Sequence, residues 1–193
     1  MNRRIAAEGS MVRAFFLDRD GVIIEEADYL SDPARVKLLP GAAEAIRKLH
    51  AAGFIAVVVT NQSGVARGYF QLSDVEAVHR RMNELLSEHG ADAVPDSIYI
   101  CPHHAKFGSP CTCRKPAPGM LLTAAREHAI DLGGSFMIGD RSGDLQAGVN
   151  AGCRESFLVE TGYGENSRAE VEAAGFRVFP GILEAVTAGL AES

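Results

Sequence analysis

The sequence predicts an α/β fold built on a mostly parallel sheet, and three observations predict it. Short β-rich runs alternate with amphipathic segments along the chain, the pattern of repeated strand–helix units. One run, FIAVVVT at residues 54–60, is apolar and β-branched without interruption, as a strand covered on both faces must be. Polar side chains gather where the apolar runs stop, and open α/β sheets bind ligands beyond the carboxyl ends of their strands.

Each element has its own justification. AFFL at 14–17 makes a short strand that ends at Asp18. Residues 40–53 form a helix opened by Pro40 and closed by Gly53. After the 54–60 strand comes a long helix over 72–90, with Ser73 as its cap and Gly90 as its stop. SIYIC (97–101) is a strand, 118–130 a helix, SFMIG (135–139) a strand and 142–152 a helix capped by Ser142. SFLV (156–159) is a fifth strand, followed by a weaker helix, strand and helix. Residues 14–193 read as one domain without repeats or linkers, and 1–13 as a flexible leader, with Met11 as an alternative start.

A chain of 193 residues can bury a core without disulfides, and 47% hydrophobic with 23% charged residues is an ordinary globular balance. A net charge of -6 argues against nucleic acid as the partner but leaves room for a local basic site that takes a small phosphorylated substrate. No apolar run is long enough to span a bilayer, and the basic opening MNRRIAAEGSM leads into no apolar core region or cleavage signal. A cytoplasmic monomer with no membrane partner is the expectation.

The strand ends carry the chemistry. FLDRDGV sets Asp18 and Asp20 one residue apart, so strand alternation aims both carboxylates the same way. An Asp-rich turn closed by Gly21 is the bland alternative. IGDRSGDLQAG adds Asp140 at the end of a strand and Asp144 one helical turn further on. Carboxylates gathered at one edge suit Mg²⁺, which also takes water and phosphate oxygens. Asp144 reads equally as a helix N-terminal carboxylate favoured by the dipole. Lys115 is the natural cation to offset a phosphate there, with Thr60 supplying a hydroxyl.

CPHHAKFGSPCTCRKP, at 101–116, concentrates three of the four cysteines and two of the six histidines. Cys101, His103, Cys111 and Cys113 supply a closed tetrahedral set for structural Zn²⁺. The one-residue gaps are tighter than finger spacing, so buried thiols, a redox pair, or His104 in place of His103 remain as alternatives. Cys113 runs directly into Arg114 and Lys115, so anchoring it to a metal would brace both side chains. Cys153 lies outside the set and reads as a small buried residue.

FLDRDGV, VVVTNQSG, CRKPAPGM and IGDRSGD match in order the four motifs of the haloacid dehalogenase-like (HAD) phosphatases, and the chain resembles that superfamily over residues 14–160. TNQSGVARGYF and the Cys/His run make it most similar to the heptose bisphosphate phosphatases within the superfamily. The resemblance implies a Rossmann-like three-layer sandwich with a zinc-binding loop. It implies Asp18 as a nucleophile forming an aspartyl-phosphate, Asp20 as general acid and base, and Thr60 and Lys115 holding phosphoryl oxygens. Asp18, Asp140 and the Asp20 carbonyl would hold Mg²⁺.

The implied substrate is a phosphorylated sugar, a heptose 1,7-bisphosphate losing its 7-phosphate on the way to nucleotide-activated heptose and lipopolysaccharide. Glu26, Ala27, Asp28, Tyr29, Thr60, Asn61, Gln62 and Ser63 would line it, with Arg114, Lys115 and Arg141 in contact. The spacing between motifs leaves no room for a cap domain, so short loops must supply specificity. Arg67 enters from its loop alone, where a solvated surface arginine is as good a reading. The rivals are histidinol-phosphate phosphatase, on the same fold, and a non-catalytic receiver-like or zinc-braced interaction domain.

Overall fold

The computed structural model describes residues 11–108 and 110–193. Six strands form where the chain is most apolar: β1 (Arg13–Leu17), β2 (Phe54–Asn61), β3 (Ser97–Cys101), β4 (Phe136–Gly139), β5 (Glu155–Val159) and β6 (Arg177–Phe179). They pair in parallel in the order β3-β2-β1-β4-β5-β6. The helices between them are α1 (Ala42–Ala51), α2 (Leu72–Ser87), α3 (Gly119–His128), α4 (Ser142–Ala151), α5 (Gly164–Ala173) and α6 (Ile182–Ala191).

The period of two along each strand sorts side chains into two cores. Phe15, Leu17, Ala56, Val58, Phe136 and Ile138 face one way, toward Ile46 and Leu49 of α1, Met82 of α2 and Val186 of α6. Ala14, Phe16, Val57, Val59 and Met137 face the other, toward Leu121 of α3 and Ala147 of α4. The result is the expected helix–sheet–helix sandwich. Phe15 stacks on Phe136 with centroids 4.8 Å apart, and Phe136 on Phe157 at 5.6 Å, so three adjacent strands share one aromatic spine.

The strand order runs outward from β1 in both directions, which puts the switch point between β1 and β4. A crevice opens at the carboxyl ends of such a pair. Asp18 follows β1 and Asp140 follows β4, so the topology alone brings them together. Between β1 and α1 the only further element is a short 3₁₀ turn at Pro33–Arg35, and no cap domain is inserted among the described residues.

Several boundaries differ from the sequence reading. Gly41, at φ 81°, precedes α1, and Pro40 lies outside it. Ser73 and Ser142 do not cap their helices. The Gln71 amide donates to Asp74 Oδ2 at 2.8 Å, and the Arg141 amide to Asp144 Oδ2 at 3.0 Å. In both helices a carboxylate in the first turn reaches back to the entering amide, and the dipole favours it over a neutral hydroxyl. The leader assigned to 1–13 falls mostly on residues 1–10, outside the described residues. Its last part is ordered, since the Val12 amide donates to Ala129 O at 3.0 Å and β1 already begins at Arg13. Among the described residues no helix is long and apolar enough to cross a membrane.

Phe136→Ala should cost about 3–5 kcal/mol of unfolding free energy, because it empties the middle of the spine. Urea denaturation measures this, and an unchanged midpoint would show that the spine does not hold the sheet.

Candidate active site

The site is assembled around a buried ammonium. Lys115 Nζ lies 2.9 Å from Asp18 Oδ1 and 2.8 Å from Asp144 Oδ1, with its side chain almost wholly buried. Asn61, the last residue of β2, grips the Lys115 backbone on both sides: its Oδ1 accepts the Lys115 amide at 3.1 Å and its Nδ2 donates to the Lys115 carbonyl at 3.2 Å. Burial works against the Lys115 charge, but Asp144 and Asp18 outweigh it and raise its pKa above the ordinary lysine value. Asp144 has both oxygens engaged, one by Lys115 and one by the Arg141 amide.

Asp140 is different. Its Oδ2 accepts the Tyr163 amide at 2.9 Å, while its Oδ1 is buried with no hydrogen-bond partner. Oxygens of Asp18, Asp140 and Asp144 all lie within 4.8 Å of one another. Burial pushes the Asp18 carboxyl up to about 8; Lys115 opposes this, and Asp144, Asp140 and Asp20 add to it. Burial likewise raises Asp140 to about 7. Three buried carboxylates facing one ammonium are short of positive charge, and a hard divalent cation fits an edge with an unpaired carboxylate oxygen. Gly21 and Gly162 close over Asp140, each at positive φ, and a Cβ on either would overlap Asp140 Oδ2.

Asp20 sits beside this group. Arg19, only 1% exposed, forks its carboxylate through Nε and Nη2 at 2.9–3.2 Å and places Nη1 3.0 Å from His79 Nε2 on α2. Burial, followed by the Arg19 charge, lowers the His79 pKa to about 4, so its ring is a neutral acceptor. Gln62 Nε2 bridges Asp20 Oδ2 and the buried Thr60 Oγ1, each at 2.9 Å. Thus Asp20 is held from two sides while it still lines the cleft.

That cleft, about 380 Å³, is lined by Asp18, Asp20, Glu26, Asp28, Tyr29, Thr60, Asn61, Gln62, Ser63, Arg67, Arg114, Arg141, Asp144 and Tyr163 among others. Ala27, expected to line the substrate, is partly buried and packs against the core. The reason is local: Glu26 Oε1 accepts the Ala27 and Asp28 amides at 3.1 and 3.0 Å, and Asp28 and Tyr29 turn left-handed at φ 33° and 57°. Arg141 lies over the Tyr163 ring at 3.7 Å and 3.9 Å from Glu26 Oε2. Arg114 Nη1 donates to the His103 carbonyl at 3.2 Å. Tyr163 escaped the sequence reading, although its hydroxyl also donates to Asp28 Oδ1 at 2.6 Å. The signal was TGYG, a glycine-flanked turn at the carboxyl end of β5.

Beyond the rim, Cys101, His103, Cys111 and Cys113 bring one ligand atom each within 4.8 Å of the others. His103 Nδ1 is 3.3 Å from Cys113 Sγ and 3.7 Å from Cys101 Sγ. The set is compatible with a tetrahedral metal site. His104 is not part of it and turns toward Arg67. Cys153 packs, partly buried, against the second core.

Fold and site are those of a HAD-like hydrolase, and a profile described as HAD-hydrolase-like matches residues 112–185. A D-glycero-D-manno-heptose-1,7-bisphosphate 7-phosphatase from Thermosynechococcus vestitus is 41% identical over 160 residues, covering 79% of this chain and 81% of that one. A D-glycero-beta-D-manno-heptose-1,7-bisphosphate 7-phosphatase from Yersinia pestis is 42% identical over 168 residues, covering 84% and 87%. The crystal structure of the D,D-heptose 1,7-bisphosphate phosphatase from B. bronchiseptica, complexed with magnesium and phosphate, superposes with a TM-score of 0.84 at 38% identity, covering 94% of this chain and 100% of that one. The chain therefore belongs to the heptose-1,7-bisphosphate 7-phosphatase family of phosphoric monoester hydrolases.

Gly162→Ala should destabilise the protein more than Gly175→Ala. Both residues have positive φ, but a Cβ at Gly175 would meet nothing within 4 Å, whereas one at Gly162 would run into Asp140. The backbone cost alone is about 1 kcal/mol, and thermal unfolding should show a larger loss at 162. Equal losses would mean that Asp140 moves aside freely.

Proposed function

We propose that the protein is a Mg²⁺-dependent phosphatase that removes the 7-phosphate of D-glycero-D-manno-heptose 1,7-bisphosphate through an aspartyl-phosphate on Asp18. The observation that carries the chemistry is Asp18 itself: a buried carboxylate at a cleft, held by Lys115, with Asp20 alongside. Lys115 and the Arg19 amide both contact Asp18 Oδ1, which leaves Oδ2 without a described hydrogen bond. In the first step an Asp18 oxygen attacks phosphorus, the P–O bond to the sugar breaks, and Asp20 protonates the departing oxygen. In the second, water attacks the aspartyl-phosphate, Asp20 takes its proton, and orthophosphate leaves. Lys115 and Thr60 hold the non-bridging oxygens, where charge is greatest during transfer.

Asp18, Asp140 and the Asp20 carbonyl would hold Mg²⁺, which supplies neutralising charge to the carboxylates and the phosphoryl group. The unpaired Asp140 Oδ1 supports this assignment, as does the magnesium in the B. bronchiseptica relative. Asp144, with both oxygens engaged, serves as the anchor of Lys115. Cys101, His103, Cys111 and Cys113 would hold a structural Zn²⁺ that fixes the loop carrying Arg114. Glu26, Asp28, Tyr29, Asn61, Gln62, Ser63, Arg114 and Arg141 line the cleft where the sugar would lie. A cytoplasmic location suits a charged sugar substrate, and the assembly proposed is a monomer.

Phosphate release decides the substrate. With Mg²⁺, kcat/KM for the heptose bisphosphate should exceed that for histidinol phosphate by about a hundredfold, some 2.7 kcal/mol of transition-state discrimination. The reverse preference would overturn the substrate, and turnover retained by Asp18→Asn would overturn the nucleophile. Metal analysis of protein purified without chelator should find about one zinc per chain, and full activity without zinc would remove the bracing role.

A further inference from the structure

We infer that Arg67 and His104 form an anion subsite that grips the second phosphate of the substrate, the one that is not cleaved. The inference rests on the bisphosphate reading above and adds residues to it. Its basis is an excess of hydrogen-bond donors with no acceptor. His104 Nδ1 accepts the Lys106 amide at 3.2 Å, so in the neutral ring Nε2 carries the proton. Yet Nε2 lies 3.2 Å from Arg67 Nη2, another donor. Protonation of His104 would only add a donor. Arg67 Nε is buried with no partner at all. Two donors meeting face to face beside an orphaned third call for an acceptor between them.

Charge points the same way. Of the four arginines that line the cleft, Arg19 and Arg141 each have a carboxylate within ion-pair distance, and Arg67 and Arg114 do not. Leaving these two unpaired sets uncompensated positive charge at one side of a cleft whose other lining includes Glu26 and Asp28. Arg67 is also held ready. Its guanidinium carbon lies 4.7 Å from the Phe107 ring centre and 5.8 Å from that of Tyr29, and its amide donates to Ser63 O at 3.1 Å. It lines the same cleft as Asp18 and Arg114, so one ligand can reach both ends. A phosphomonoester dianion offers several acceptor oxygens to a planar guanidinium fork and an imidazole N–H, which a sugar hydroxyl does not.

The test compares kcat/KM for bisphosphate and monophosphate members of two pairs, heptose 1,7-bisphosphate with heptose 7-phosphate and fructose 1,6-bisphosphate with fructose 6-phosphate. In Arg67→Met the bisphosphate advantage should fall about ten- to a hundredfold, the worth of charge-assisted hydrogen bonds. The loss should come through KM, with Arg67→Lys recovering part of it. His104→Asn should give a smaller loss of the same kind. Equal losses on both members of a pair would mark Arg67 as structural and overturn the subsite. So would a wild-type enzyme with no bisphosphate advantage in either pair. If wild type ignores the heptose pair but shows an Arg67-dependent preference for fructose 1,6-bisphosphate, the heptose assignment falls and the subsite stands. Thermal midpoints within a few degrees of wild type confirm that the variants are folded.

Discussion

A buried lysine with two carboxylates against it is the constraint on which the rest of the site depends. An unpaired charge in the interior is prohibitively costly, so Lys115 can be buried only if its partners arrive in place. Asp18 comes from the end of β1, Asp144 from the first turn of α4, and Lys115 from the long loop after β3. Asn61, at the end of β2, holds the lysine backbone. One lysine, through its ammonium and its backbone, thus ties four neighbouring segments at the carboxyl edge of the sheet. The cleft faces that edge because the charges it works with are the charges that close the fold there.

The layered fold was legible because its code is periodic. Strand alternation divides Phe15 and Leu17 from Ala14 and Phe16, and the two sets form separate cores. The strand-end carboxylates and the Cys/His cluster were legible too, since both consist of residue types with few other reasons to gather. Less visible was what depends on backbone atoms or on the direction a side chain takes. Tyr163 acts on Asp140 through its amide, which every residue but proline possesses. Arg19 stood inside a recognised motif, yet no spacing announces that it turns inward to fork Asp20 against a neutral His79. The packing of Ala27 against the core was not visible, because the left-handed turn at Asp28 and Tyr29 depends on a Glu26 carboxylate capturing two amides. The choice between His103 and His104 had to wait for coordinates, because adjacent histidines are equivalent on paper and face opposite tasks in space.

Among the described residues no cap covers this site, so whatever recognises the leaving group must already be in position. The rim meets that requirement with side chains that already have contacts: an arginine near the Phe107 and Tyr29 rings, another tied to a loop carbonyl, a third laid on Tyr163. Side chains ordered in advance lose less entropy when a ligand arrives. Each of these arginines springs from a different loop, and the sheet beneath fixes their spacing.

The two-sided engagement of Asp144 carries a further consequence. One of its oxygens secures the amide at the entrance of α4 while the other secures Lys115. Fraying of that first helical turn, an ordinary fluctuation at a helix end, would therefore remove one of the two carboxylate partners of Lys115 at the same moment. The setting of the buried ammonium is in this way coupled to the order of a single helical turn, which can change while the sheet and both cores remain intact.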